Sequence, residues 1–92
     1  MYEPLDGTAW DGGLKQGKGK ITYANGDVYE GDFLNDKRHG KGKYTCTDGH
    51  VYEGNWMDDK RQWNGKKTYP GGDVYEGDFL DDKRHGKGKM TL

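Results

Sequence analysis

Ninety-two residues with 17 glycines, a formal net charge of −1 and no serine leave room for one domain and exclude several chemistries. The near-equal balance of 15 Lys+Arg and 16 Asp+Glu gives no reason to expect a nucleic-acid partner. No serine-based triad can exist, and no apolar run approaches the roughly 20 residues of a membrane span.

Leu, Ile, Val and Phe together supply only 11 residues, a proportion that by itself suggests disorder. An aromatic content of 13% at low net charge argues for a folded chain instead. The start, Met1 to Asp6, has no basic patch or apolar h-region, so no signal peptide is expected. Cys46 is the single cysteine, which rules out an internal disulfide and favours a reducing, cytoplasmic setting.

In chain order, the first element is a weak copy of a repeat that opens near Asp6. Leu5 stands where later copies have Val28, Val51 and Val74, and Trp10 stands in the Phe33 position. Its second strand is Gly17-Lys18-Gly19-Lys20. The turn Ala24-Asn25-Gly26 leads to Val28-Tyr29-Glu30-Gly31-Asp32-Phe33, which alternates as a half-buried strand does. A polar turn follows, read as a four-residue loop from Asp36 to His39. That length would set Phe33 against Gly42 and Tyr44 against Gly31. Gly40-Lys41-Gly42-Lys43-Tyr44 is then the return strand.

The unit recurs every 23 residues, at Tyr52-Glu53-Gly54-Asn55-Trp56 and Tyr75-Glu76-Gly77-Asp78-Phe79. The Gly-Lys-Gly-Lys run returns at Gly86 to Lys89 and degenerates to Trp63-Asn64-Gly65-Lys66 between them. The copies span about 6–28, 29–51, 52–74 and 75–92 of one domain, 1–92.

The connections Ala24-Asn25-Gly26, Thr47-Asp48-Gly49 and Pro70-Gly71-Gly72 suit three-residue hairpin loops, a type I turn followed by a left-handed glycine. This length fixes the register between copies. Ile21 opposes Tyr29, Gly19 opposes Gly31 and Gly17 opposes Phe33, and the same holds one and two copies on. One face then carries rings and glycines. The other sets Lys20, Lys43 and Lys66 against Glu30, Glu53 and Glu76, pairs that favour each other across strands. A loop one residue shorter would scramble both faces. The fold class expected is all-β, a single-layer antiparallel meander of about eight short strands, roughly 35 Å wide at ~4.8 Å per strand.

The pattern Tyr-Glu-Gly-Asp/Asn-Phe/Trp, a polar turn, Gly-Lys-Gly-Lys-Tyr and Asp-Gly or Asn-Gly resembles the MORN repeat over nearly the whole chain. The resemblance implies stacked β-hairpins twisted into a half-pipe solenoid. It also implies a scaffold role at membranes, cytoskeleton or cilia, frequent dimers, and partner segments laid along an aromatic groove. Some members carry an attached lipid kinase or methyltransferase domain, and nothing in this sequence resembles one. The chain departs from the pattern at Trp63, where other copies have glycine, at Lys67, where others have an apolar residue, and in its first copy.

Constellations that hint at chemistry have plainer readings. Cys46 has His39 and His50 nearby in sequence, but a Cys–His nucleophile needs an orienting pocket. Cys46 also occupies the position held by Tyr23 and Tyr69. His39 and His85 lie about four strands, or ~19 Å, apart, too far for one metal ion. Gly-Lys-Gly-Lys lacks the spacing and the helix of a phosphate loop. Glu30 and Asp32 have Lys20 and Lys18 as cross-strand partners. No enzymatic activity, cofactor or metal is therefore expected.

Two surfaces remain. Tyr29, Phe33, Tyr44, Tyr52, Trp56, Trp63, Tyr75 and Phe79 form a strip that acts as a groove for a helical or extended protein segment, or else folds into the chain's own core. Lys37, Arg38, Lys60, Arg61, Lys83 and Arg84 fall in the predicted turns and give an alternative site for an acidic membrane surface, although Asp36, Asp58, Asp59, Asp81 and Asp82 offset much of that charge. The strand Gly86–Thr91 is expected to form an open edge, and a homodimer is expected, joined either edge to edge there or face to face across the aromatic strip.

Overall fold

The computed structural model describes residues 2–5, 10–11 and 14–92. Its strands are β1 (Tyr2–Pro4), β2 (Trp10–Asp11), β3 (Leu14–Lys15), β4 (Gly17–Thr22), β5 (Val28–Leu34), β6 (Lys37–Thr45), β7 (Val51–Met57), β8 (Lys60–Thr68), β9 (Val74–Leu80) and β10 (Lys83–Thr91). Eight of them hydrogen-bond in the order β1-β4-β5-β6-β7-β8-β9-β10, and β2 and β3 pair separately. The expected single antiparallel meander is what forms, with overall extents of 43 × 25 × 18 Å.

The connections between copies have the length that the ring–glycine pattern requires. Tyr23 N–H donates to Asp27 O at 2.8 Å and Gly26 N–H to Tyr23 O at 2.9 Å, with Gly26 at φ 95°. The same loop recurs from Cys46 to His50 and from Tyr69 to Asp73. The register follows: Gly17 pairs with Phe33, Gly19 with Gly31 and Ile21 with Tyr29. Gly40 pairs with Trp56 and Trp63 with Phe79. On the opposite face Lys20, Lys43 and Lys66 face Glu30, Glu53 and Glu76 as expected.

The turn within each copy is shorter than the four residues read from the sequence. Leu34 pairs with Lys37 and Phe33 with Arg38, so the loop is only Asn35-Asp36. Both residues have positive φ, 50° and 71°, the signature of a type I′ turn whose twist suits a hairpin. Asp58-Asp59 and Asp81-Asp82 repeat it. The register then shifts across a bulge between Gly31 and Phe33, beyond which Gly31 faces Gly42 and Tyr29 faces Tyr44. The predicted pairs Phe33–Gly42 and Tyr44–Gly31 therefore do not form. These turns have no glycine at either left-handed position, whereas a type I′ turn favours one there, so local propensity argues against them. Hydrogen bonds to the neighbouring copy offset that bias. Asp59 N–H donates to Arg38 O at 3.1 Å, and Arg38 N–H donates to Asp59 Oδ1 at 2.8 Å. Lys15–Asp36 and Arg61–Asp82 make the same backbone exchange.

The first copy also differs from its predicted alignment. Tyr2, rather than Asp6, takes the place of the repeat tyrosine, pairing with Ile21 while Pro4 pairs with Gly19. A fixed 23-residue step cannot find a tyrosine displaced by four residues. Asp6 and the Trp10 side chain lie outside the described residues. A proline in an edge strand loses no ladder bond that the sheet needs.

The core is a row of rings on one face of the sheet. Tyr2, Phe33, Tyr29, Trp56, Tyr52, Phe79 and Tyr75 meet successively edge to face at 5.0–5.5 Å and 82–88°. Such pairs contribute about 0.5–1.5 kcal/mol each beyond the area they bury. Glycines make the floor. The Tyr29 ring lies against Gly42, where an added Cβ would collide with it. Its hydroxyl donates to the Asp32 carbonyl at 2.8 Å, a carbonyl that the bulge withdraws from the ladder.

Candidate partner-binding face

Six of the eight rings expected to line a groove are spent on this core. Tyr29, Phe33, Tyr52, Trp56, Tyr75 and Phe79 are all 7% exposed or less. Tyr44 is half-buried and stacks on Tyr23 at 5.6 Å. Trp63 is 55% exposed and stands outside the core cluster. Its φ of 57° matches Gly17, Gly40 and Gly86, at 62–70°, so a bulky residue occupies a glycine conformation.

The basic residues expected in turns lie in strands, because the turns are two residues long. Arg38 and Arg61 cover the rings. The Arg38 guanidinium lies 4.6 Å from the centre of the Trp56 ring and 5.1 Å from that of Tyr44, and its Nε pairs with Asp59 at 3.1 Å. Arg61 repeats this over Phe79 and Tyr52, paired with Asp82 at 3.3 Å. Arg84 stands over Tyr75 at 5.4 Å. Lys37, Lys60 and Lys83 remain exposed and are cross-strand neighbours of Leu34, Met57 and Leu80, three apolar residues that are also exposed.

The ring face opens into a cavity of about 310 Å³ at the junction of the second and third copies. Tyr44, Tyr52, Trp56 and Val51 line it together with Cys46, His50, Lys67 and the ion pairs Arg38–Asp59 and Arg61–Asp82. Burial pushes the phenols of Tyr44 and Tyr52 up to about 12 and raises the Cys46 thiol. Burial, and then the charge of Arg61, lowers the Lys67 ammonium. Sequence reasoning does not single out Cys46, His50 and Lys67 as binding residues. The signal is present, since each departs from the residue type of the first copy at a fixed repeat position.

Sheet, bulge and ring ladder recur with the 23-residue unit, and the family model of the MORN repeat matches residues 9–28, 29–51, 52–74 and 75–92. The chain belongs to the MORN repeat family. No curated protein matches it. MORN repeats are generally non-catalytic modules of protein and membrane interaction, often found at membranes or the cytoskeleton. No helix among the described residues is long and apolar enough to cross a membrane.

Proposed function

We propose that this MORN protein is a non-catalytic scaffold whose aromatic face holds a helical or extended segment of a protein partner. The observation that carries the reading is the cavity bounded by Tyr44, Tyr52 and Trp56. Its volume sits at the small end of the roughly 300–1,000 Å³ typical of ligand pockets, enough for one or two anchoring side chains. Retention of a partner at about 0.5 M salt tests it, because screening there acts within a few Å and removes exposed charge contacts. Tyr44→Ala is the informative variant. Trp56→Ala would remove a core ring and unfold the junction.

A second reading is supported by the row Leu34, Met57 and Leu80 beside Lys37, Lys60 and Lys83. Apolar side chains flanked by lysines suit an acidic membrane surface, at about 1 kcal/mol per basic residue. Flotation with phosphatidylserine vesicles, lost on raising salt and lost in the triple Lys→Glu variant, would favour it over the groove. A homodimer joined along the exposed β10 edge is compatible with either reading. Light scattering over a concentration series tests it, and a strictly monomeric mass at high micromolar concentration removes it.

A further inference from the structure

The cavity lies where one copy lacks an arrangement that its neighbour possesses. At the first junction Tyr23 stacks on Tyr44. The Asp27 carboxylate accepts hydrogen bonds from the Tyr44 hydroxyl at 3.0 Å, the Thr47 N–H at 3.0 Å and the Asn25 side-chain amide at 3.1 Å. Twenty-three residues on, all five of these positions change together. Tyr23 becomes Cys46, Asn25 becomes Asp48, Asp27 becomes His50, Tyr44 becomes Lys67 and Thr47 becomes Pro70.

The changes are chemically coherent. Losing the Tyr23 ring leaves open volume beside Cys46. Losing the Asp27 carboxylate removes the acceptor, and Pro70 has no N–H that would need one. A cation now stands where the Tyr44 hydroxyl donated. Among the described residues Lys67 makes no ion pair and lies only over the Tyr69 ring, at 5.1 Å. Arg38 and Arg61 in the same lining are already paired with Asp59 and Asp82, so Lys67 is the lining cation without a paired carboxylate, with Asp48 acting on it only from beyond ion-pair distance. His50 Nδ1 is buried without a hydrogen-bond partner among the described residues. A half-buried ammonium favours an anion that can enter with it.

Resting on the groove reading, we infer that this cavity takes a carboxylate borne next to an apolar or aromatic side chain of the partner segment. The ring fills the space left by the Tyr23 equivalent, and the carboxylate meets Lys67. A peptide C-terminus that ends in an aromatic residue carries both groups on one residue, and N-acetyl-phenylalanine is its minimal form.

The test is an NMR titration of the whole ¹⁵N-labelled protein with N-acetyl-phenylalanine, its neutral amide and inorganic phosphate. The acid should shift the amide signals of His50, Tyr52 and Lys67 and saturate. The amide should bind about tenfold more weakly, as expected for loss of one charged hydrogen bond. Lys67→Met should abolish that preference while the spectrum stays dispersed, since Met90 is the residue at this position in the last copy. Equal binding of acid and amide, a preference that survives in Lys67→Met, or no shift at these residues at millimolar ligand would each overturn the inference. So would phosphate binding more tightly than the acid. Release of a partner by Tyr44→Ala but not by Lys67→Met would sink the carboxylate site and leave the groove reading standing.

Discussion

The Tyr52 hydroxyl donates to the backbone carbonyl of Asn55, three residues further along the same strand, at 2.9 Å. The bond spans the bulge between Gly54 and Trp56 and holds the ring flat over Gly54 and Gly65. Tyr29–Asp32 and Tyr75–Asp78 repeat it. Tyr52→Phe should therefore cost about 1 kcal/mol by leaving that carbonyl short of a donor. Gly54→Val should cost more than about 2 kcal/mol, because its Cβ would lie 2.6 Å from the Gly65 Cα. Urea denaturation of both variants checks the order. An unchanged midpoint for Gly54→Val would show that the faces are assigned wrongly.

Arg38 combines a ring contact with a half-buried ion pair, and neither alone is worth much. Stacking contributes about 0.5–1 kcal/mol and the pair with Asp59 about 0–1 kcal/mol. Arg38→Ala should destabilise by about 1–2 kcal/mol, and Arg38→Lys should recover less than half of the loss, since an ammonium cannot reproduce the planar fork. A double-mutant cycle with Asp59→Asn separates the two contributions. Full rescue by lysine would reduce the covering role to charge alone.

The register between copies is legible in the sequence because a glycine opposite a ring and a lysine opposite a glutamate agree on only one loop length. The register within copies is not. It depends on Asp36, Asp59 and Asp82 adopting left-handed φ, and the compensation comes from Lys15, Arg38 and Arg61, 21 residues earlier. Local turn chemistry has no access to such partners. Tyr2 escapes for a related reason, its place being set by pairing with Ile21 rather than by spacing. Of the proposed groove, the ring positions are legible. Their division between core and groove is not, because covering them depends on arginines whose spacing alone points to turns.

The tyrosines set the alkaline limit of stability. Tyr44 and Tyr52 have folded pKa values of about 12 against 10.0 for the free phenol, chiefly through burial. Folding thus favours the neutral ring. The contribution is complete below pH 10 and is lost as pH rises through about 12. Phenolate absorbance should rise together with loss of the β-sheet circular dichroism signal in that window. At the acid end Asp27 is held low first by the Thr47 N–H, and Asp36 by the Lys15 N–H. Their contribution is present above 3.8 and lost below it. Ionisation of Tyr44 and Tyr52 themselves near pH 10 with the sheet intact, read from their ring NMR signals, would contradict the burial of these rings.

Trp63 holds a left-handed backbone that costs a non-glycine residue about 1–2 kcal/mol, and more than half of its surface is exposed. Trp63→Gly should raise stability by about 1 kcal/mol once the greater freedom of glycine in the unfolded state is counted. Thermal unfolding of the variant checks this. A lower midpoint would mean that the indole makes contacts worth more than the strain.

The central claim, that the aromatic face holds a protein segment, is tested most directly by quantitative capture on the immobilised protein at about 0.5 M salt. Wild type and Tyr44→Ala are compared after circular dichroism has shown both to be folded. At least one protein species should survive the salt wash on wild type, be depleted severalfold on Tyr44→Ala, and yield a synthetic segment that shifts the NMR signals of Tyr44, Tyr52 and Lys67. Capture that vanishes with salt, that Tyr44→Ala leaves unchanged, or whose segment shifts only the Lys37, Lys60 and Lys83 row would contradict that claim.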